Sequence, residues 1–96
     1  MALSKAQLRE LKARCHALSP VITVADNGLT DNVLGEVENA LAAHELIKVK
    51  LRGDRETRRA WVQRLLEVTR AELVQQIGQV ACLFRRNPNR PKIPLS

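Results

Sequence analysis

His44-Glu45-Leu46-Ile47-Lys48-Val49-Lys50-Leu51 is the stretch on which the fold turns. From Leu46 onward the residues alternate. Ile47, Val49 and Leu51 fall on one side of an extended chain, and Lys48 and Lys50 fall on the other. This predicts a strand with one dry face and one basic face, which needs helices packed against the dry side. Just upstream, Thr30 caps a helix that runs to about His44. Val33, Val37, Ala40 and Leu41 form its buried side, and Leu29 and Leu34 are placed as a hydrophobic staple. Before the polar turn Ala25-Asp26-Asn27-Gly28, the β-branched run Val21-Ile22-Thr23-Val24 reads as a short buried strand.

The same reasoning extends to both ends. Ser4 and Gln7 fit a capping box opening a helix to about Leu18, with Leu8, Leu11, Cys15 and Leu18 as its apolar stripe and Pro20 as its stop. Beyond Gly53, a third helix is predicted from Asp54 or Arg55 to Thr69. Trp61, Leu65 and Val68 lie on one side of it, with Val62 and Leu66 beside them. Leu73 to Ile77 and Val80 to Phe84 read as a hairpin turning near Gly78. The expected fold is α/β, a single compact domain in the order α-β-α-β-α-β-β. A mixed four-stranded sheet carries three helices. The folded domain is placed at residues 1–86, and residues 87–96 are expected to form a loose, basic, proline-containing tail.

A chain of 96 residues suits one domain, and 45% hydrophobic content argues against global disorder. Sixteen Lys and Arg against ten Asp and Glu give +6, which points to a polyanionic partner. The charge is uneven. Residues 20–44 hold Asp26, Asp31, Glu36 and Glu38 with no Lys or Arg, whereas residues 85–96 hold Arg85, Arg86, Arg90 and Lys92 with no acid. Cys15 and Cys82 form no CxxC pair, so two buried thiols in a reducing cytoplasm are expected and a disulfide is not. The first residues lack the pattern of a secretory signal, and no apolar stretch approaches the ~18 residues of a membrane span.

Catalysis has little support in the residues. There are two histidines, no Tyr and no nucleophile placed beside a base; Cys15 and His16 are neighbours that point about 100° apart on a helix. Cys15, His16, His44 and Cys82 have no recognised metal-ligand spacing, so neither metal nor cofactor is expected. His44 suits the end of its helix, and Glu36 and Glu38 read as a solvated acidic face.

Nucleic-acid binding is better supported. Lys5, Arg9, Lys12 and His16 recur at helical spacing within a sector of roughly 40–60°, a basic stripe suited to a run of phosphates. From that helix alone, a solubilising face is an equal reading; Lys48, Lys50 and Arg85 shift the balance. Trp61 and Phe84 are the only aromatic residues, too few for base stacking, so the grip should be electrostatic.

Several segments together resemble a known family. They are Val21-Ile22-Thr23-Val24, Asn27-Gly28-Leu29-Thr30, His44 to Lys50, Asp54-Arg55-Glu56-Thr57, Val74 to Gly78 and Leu83-Phe84-Arg85. The family is the YhbY-like proteins with the chloroplast RNA splicing and ribosome maturation (CRM) domain. The resemblance spans about residues 3–94. It implies a fold similar to the C-terminal domain of translation initiation factor three. For bacterial single-domain members it implies binding to RNA in precursors of the large ribosomal subunit.

Relatives commonly carry a GxxG loop after the first strand. Here the loop reads Ala25-Asp26-Asn27-Gly28, so the first glycine is missing and Asp26 opposes a phosphate. The resemblance implies contacts at Asn27 and Gly28, and with the basic residues the expected RNA-binding set is Lys5, Arg9, Lys12, His16, Asn27, Gly28, Lys48, Lys50, Arg85 and Arg86. A cytoplasmic, monomeric ribosome-assembly protein is expected, with contacts to ribosomal proteins left open. The alternatives are a stoichiometric ribosomal or translation-associated protein, a helix-turn-helix DNA binder reading with its acidic second helix, and a hydrolase or metal enzyme.

Overall fold

The computed structural model describes residues 3–95. Helix α1 spans Lys5–His16 and opens on a reciprocal capping box. The Ser4 hydroxyl accepts from the Gln7 amide at 3.1 Å, and the Gln7 side-chain oxygen accepts from the Ser4 amide at 3.0 Å. The helix stops two residues short of Leu18, which is left at the surface. There follow β1 (Ile22–Val24), α2 (Asp31–His44), β2 (Leu46–Leu51), α3 (Arg55–Thr69), β3 (Glu72–Ile77) and β4 (Val80–Phe84), the order read from the sequence. Thr30 and Asp54 cap α2 and α3. Hydrogen bonds from the Thr57 backbone and side chain hold the Asp54 carboxyl below the usual aspartate range.

The sheet order is β1-β2-β4-β3. β1 and β2 pair in parallel across α2, and β4 pairs antiparallel with both β2 and β3. The second strand–helix–strand unit thus skips one position, and β4 fills the gap. Gly78, at φ +55°, takes the first turn position of the hairpin, where an L side chain is disfavoured.

Both faces of the sheet are packed. On one, Ile22, Val24, Ile47, Val49, Leu51, Ala81 and Leu83 meet α2 and α3 through Val37, Leu41, Val62 and Leu65. Val68, expected on this side, is exposed, and Thr69 is buried in its place. On the other face, Leu46, Val74, Cys82 and Phe84 meet Leu11 and Cys15 of α1. That layer does not reach β1. Val21 is 54% exposed and Thr23 is exposed, so β1 is buried on one face only, contrary to the expectation of a buried strand.

Two expectations for the α1 side are corrected. Cys15 and Cys82 are joined by a disulfide that ties α1 to β4. Nor is the tail loose. Ile93 is 8% exposed and joins the α1 core, because Glu45 recruits it. The Glu45 side chain is fully buried and accepts the backbone amides of Asn87, Lys92 and Ile93. A buried carboxylate needs such donors, and a proline-punctuated segment without regular structure has amides to spare.

Candidate nucleic-acid interface

The exposed side of α1 is set by its buried side. Leu11 and Cys15 face the sheet, so Lys5, Arg9, Lys12 and His16 face solvent, and all four are exposed. Among the described residues no carboxylate pairs with any of them. The four span about 17 Å of helix at 1.5 Å per residue. The charges of Lys5, Arg9 and Lys12 are therefore free to meet an external anion instead of being spent within the fold, and the His16 imidazole is open to the same surface.

Where α1 ends, the sheet continues the basic surface. Lys48 donates to the Leu18 carbonyl at 2.9 Å, which holds its ammonium beside the C-terminal end of α1. Lys48 and His16 line one groove with Gln75, Ile77 and Val80. Lys50 lies on the same strand face, opposite Val80 and Thr23. Ile77 is 61% exposed, so this corner offers a small apolar floor beside two ammonium groups. The structure thus brings His16, Lys48 and Lys50 together on the α1 side of the sheet.

The loop after β1 belongs elsewhere. The Gly28 amide donates to the Ala25 carbonyl at 2.8 Å, closing a turn, and Gly28 sits at φ +70°. That amide is consequently not offered to a ligand. Asn27 is exposed at the tip. A Cβ on Gly28 would lie 3.6 Å from Nε1 of Trp61, and one on Gly53 would lie 3.1–3.2 Å from the Trp61 ring. Trp61 of α3 therefore packs against the loops that follow β1 and β2, and the loop after β1 rests on α3. Space allows a methyl at Gly28, but the backbone does not favour it. Gly28→Ala should cost about 1 kcal/mol in urea denaturation through the left-handed strain.

Arg85 leaves the expected interface. Its Nη1 donates to both Glu38 oxygens at 2.9 and 2.8 Å and to the Thr69 carbonyl at 3.0 Å, locking the end of β4 to α2 and α3. Glu38 is therefore not simply part of a solvated acidic face, because it is engaged by this arginine. Arg86 is half-buried, and its charge acts on Glu45. Three further arginines lie outside the expected set. Arg55, Arg58 and Arg59 fall three and four residues apart on α3, a legible helical spacing, and line a groove with Glu56, Gln76 and Gly78. Among the described residues no cluster of three or more His, Cys, Asp or Glu could hold a metal ion. Among them, too, no helix is long and apolar enough to cross a membrane.

A small mixed-sheet domain that presents unpaired cations on a capped helix and the adjoining strand is a polyanion-binding module by its geometry. The chain belongs to the CRS1 / YhbY (CRM) domain family, which matches residues 3–85. It is 48% identical over 93 residues to a probable RNA-binding protein of Pseudomonas aeruginosa, covering 96% of this chain and 89% of that one. An RNA-binding protein of Haemophilus influenzae is also 48% identical, over 84 residues, covering 86% and 85%. The solution structure of a hypothetical protein from Staphylococcus aureus, described as a candidate RNA binder, has the same fold. Its TM-score is 0.82 at 28% identity, covering 99% of this chain and 100% of that one. The expected family and fold are both borne out.

Proposed function

We propose that this protein binds RNA through the α1 stripe and the adjoining strand face, and acts in the cytoplasm on precursors of the large ribosomal subunit. The observation that carries the reading is the freedom of Lys5, Arg9, Lys12 and His16 from internal carboxylates. Each cation set against a phosphate releases a condensed counterion, which favours binding without any base-specific contact. Lys48 and Lys50 extend the same field, while Arg85 is committed to Glu38 and contributes little. The names of the relatives support RNA as the polyanion. The ribosomal destination rests on the family resemblance.

The test is a triple reversal, Lys5→Glu, Arg9→Glu and Lys12→Glu. All three positions are exposed, so the fold should survive. The slope of log affinity against log salt should become shallower by about 2–3, at roughly 0.7–0.9 for each phosphate no longer neutralised. In a sucrose gradient, wild type should sediment with precursor large subunits and the triple variant should stay at the top. Retention of the variant at physiological salt would refute the α1 interface. One copy of the protein on every mature subunit would instead make it a structural component.

A further inference from the structure

We infer that the groove between the start of α3 and the β3–β4 hairpin is a second phosphate-binding surface, so that RNA engages both faces of the sheet. The inference rests on the RNA reading above but concerns a different surface. Arg55, Arg58 and Arg59 form one wall of an open groove of about 560 Å³, and Gln76 and Gly78 form the other. Gln76 pairs with Ala81, whose side chain lies in the α2–α3 core, so the groove is on the face opposite α1. It is therefore no extension of the α1 stripe.

The placement of charge on α3 runs against the needs of the helix. A helix favours acids in its first turn and bases in its last. Here three arginines crowd the first two turns, with Glu56 as the acid in the first turn, and the last turn has no base. Glu56 lines the groove too, yet no ion pair joins it to the arginines. Arg58 Nη1 donates to the Gly53 carbonyl at 2.9 Å, which holds its guanidinium at the groove wall. Its Nε is shielded from solvent and has no acceptor. Guanidinium forks match phosphate geometry, whereas the first amides of the helix are already taken by the Asp54 cap, so the arginines supply the positive charge. At the hairpin tip, a Cβ on Gly78 would meet nothing within 4 Å, so a backbone has room to approach. The groove has no ring to stack a base, which makes phosphate the group it can recognise.

Titration of the isotope-labelled full chain with a short RNA duplex, followed by NMR, decides the matter. Signals of the α1 residues should shift, and so should the Arg58 Nε–H and the Gly78 amide. In the double variant Arg55→Glu, Arg59→Glu, the groove signals should lose their response while those of α1 keep theirs. Arg55→Glu places an acid in the first turn of the helix, where it is favourable, so the variant should fold. Shifts confined to α1 would overturn the groove and leave RNA binding intact. Groove shifts that persist in the variant would also overturn it. No shifts on either surface would overturn both readings.

Discussion

Replacing Glu45 with Ala should lower the unfolding free energy by about 3–5 kcal/mol and release residues 87–93 from the α1 side of the sheet. The carboxylate is wholly buried, and its two oxygens receive three backbone amides from a segment more than forty residues away. Removing it either strands those amides or lets the segment lift off, which exposes Ile93 and gives up its burial. Glu45 also holds a backbone conformation at φ +64° and ψ −47°, a region that non-glycine residues seldom occupy. Two variants separate these effects. Glu45→Gly eases the backbone but removes the acceptor, whereas Glu45→Gln keeps the shape and one acceptor oxygen and sets a donor against a donor at the other. Urea denaturation should rank Gln as the mildest change. If Ala were as stable as wild type, the carboxylate would have no part in holding the segment.

The same group makes stability depend on pH. Burial alone pushes the Glu45 carboxyl upward, but hydrogen bonds from Asn87, Ile93 and Lys92 and the nearby charge of Arg86 outweigh it. The net shift is downward from the ordinary value of 4.5. A carboxyl with a depressed folded value contributes in full above its unfolded value and loses that contribution as pH falls through the folded one. Wild type should therefore weaken on acidification below about pH 4.5 more steeply than Glu45→Gln.

Reduction of the Cys15–Cys82 disulfide should cost about 4 kcal/mol by the chain-entropy relation, since the bond closes a loop across a sequence separation of 67. The fold should persist, because Leu11, Phe84 and Val74 still hold α1 and the two thiols pack as small apolar groups. Cys15 is 1% exposed and Cys82 is 4% exposed, so a thiol reductant must wait for α1 to open. Denaturation with and without reductant at one pH measures the difference. Alkylation followed by mass spectrometry reports which cysteines are free. Equal midpoints with the bond demonstrably broken would show that the cross-link contributes nothing.

Most of the fold is legible because it rests on short-range periodicity. The alternation from Leu46 to Leu51, the Ser4–Gln7 box and Gly78 between two apolar runs each declare an element within a few residues. What escapes depends on distant partners. Glu45 follows a helix in sequence and resembles any surface acid there, until amides from residues 87–93 close over it. Cys15 and Cys82 carry no motif, and only the docking of α1 on β4 brings them together. Arg85 reads as free because its partner Glu38 is 47 residues away on α2. The arginines of α3 do have a signal in their spacing, but Asp54 before them and Glu56 between them dilute it.

A stop codon after Arg86, where the last strand has ended and the family match has run out, would open the floor beneath α1. The excised piece carries the amides that Glu45 needs and the isoleucine plug at position 93. The α1 side of the core is completed by residues beyond the end of the family match, so a truncated gene product should be a damaged protein, not a trimmed one.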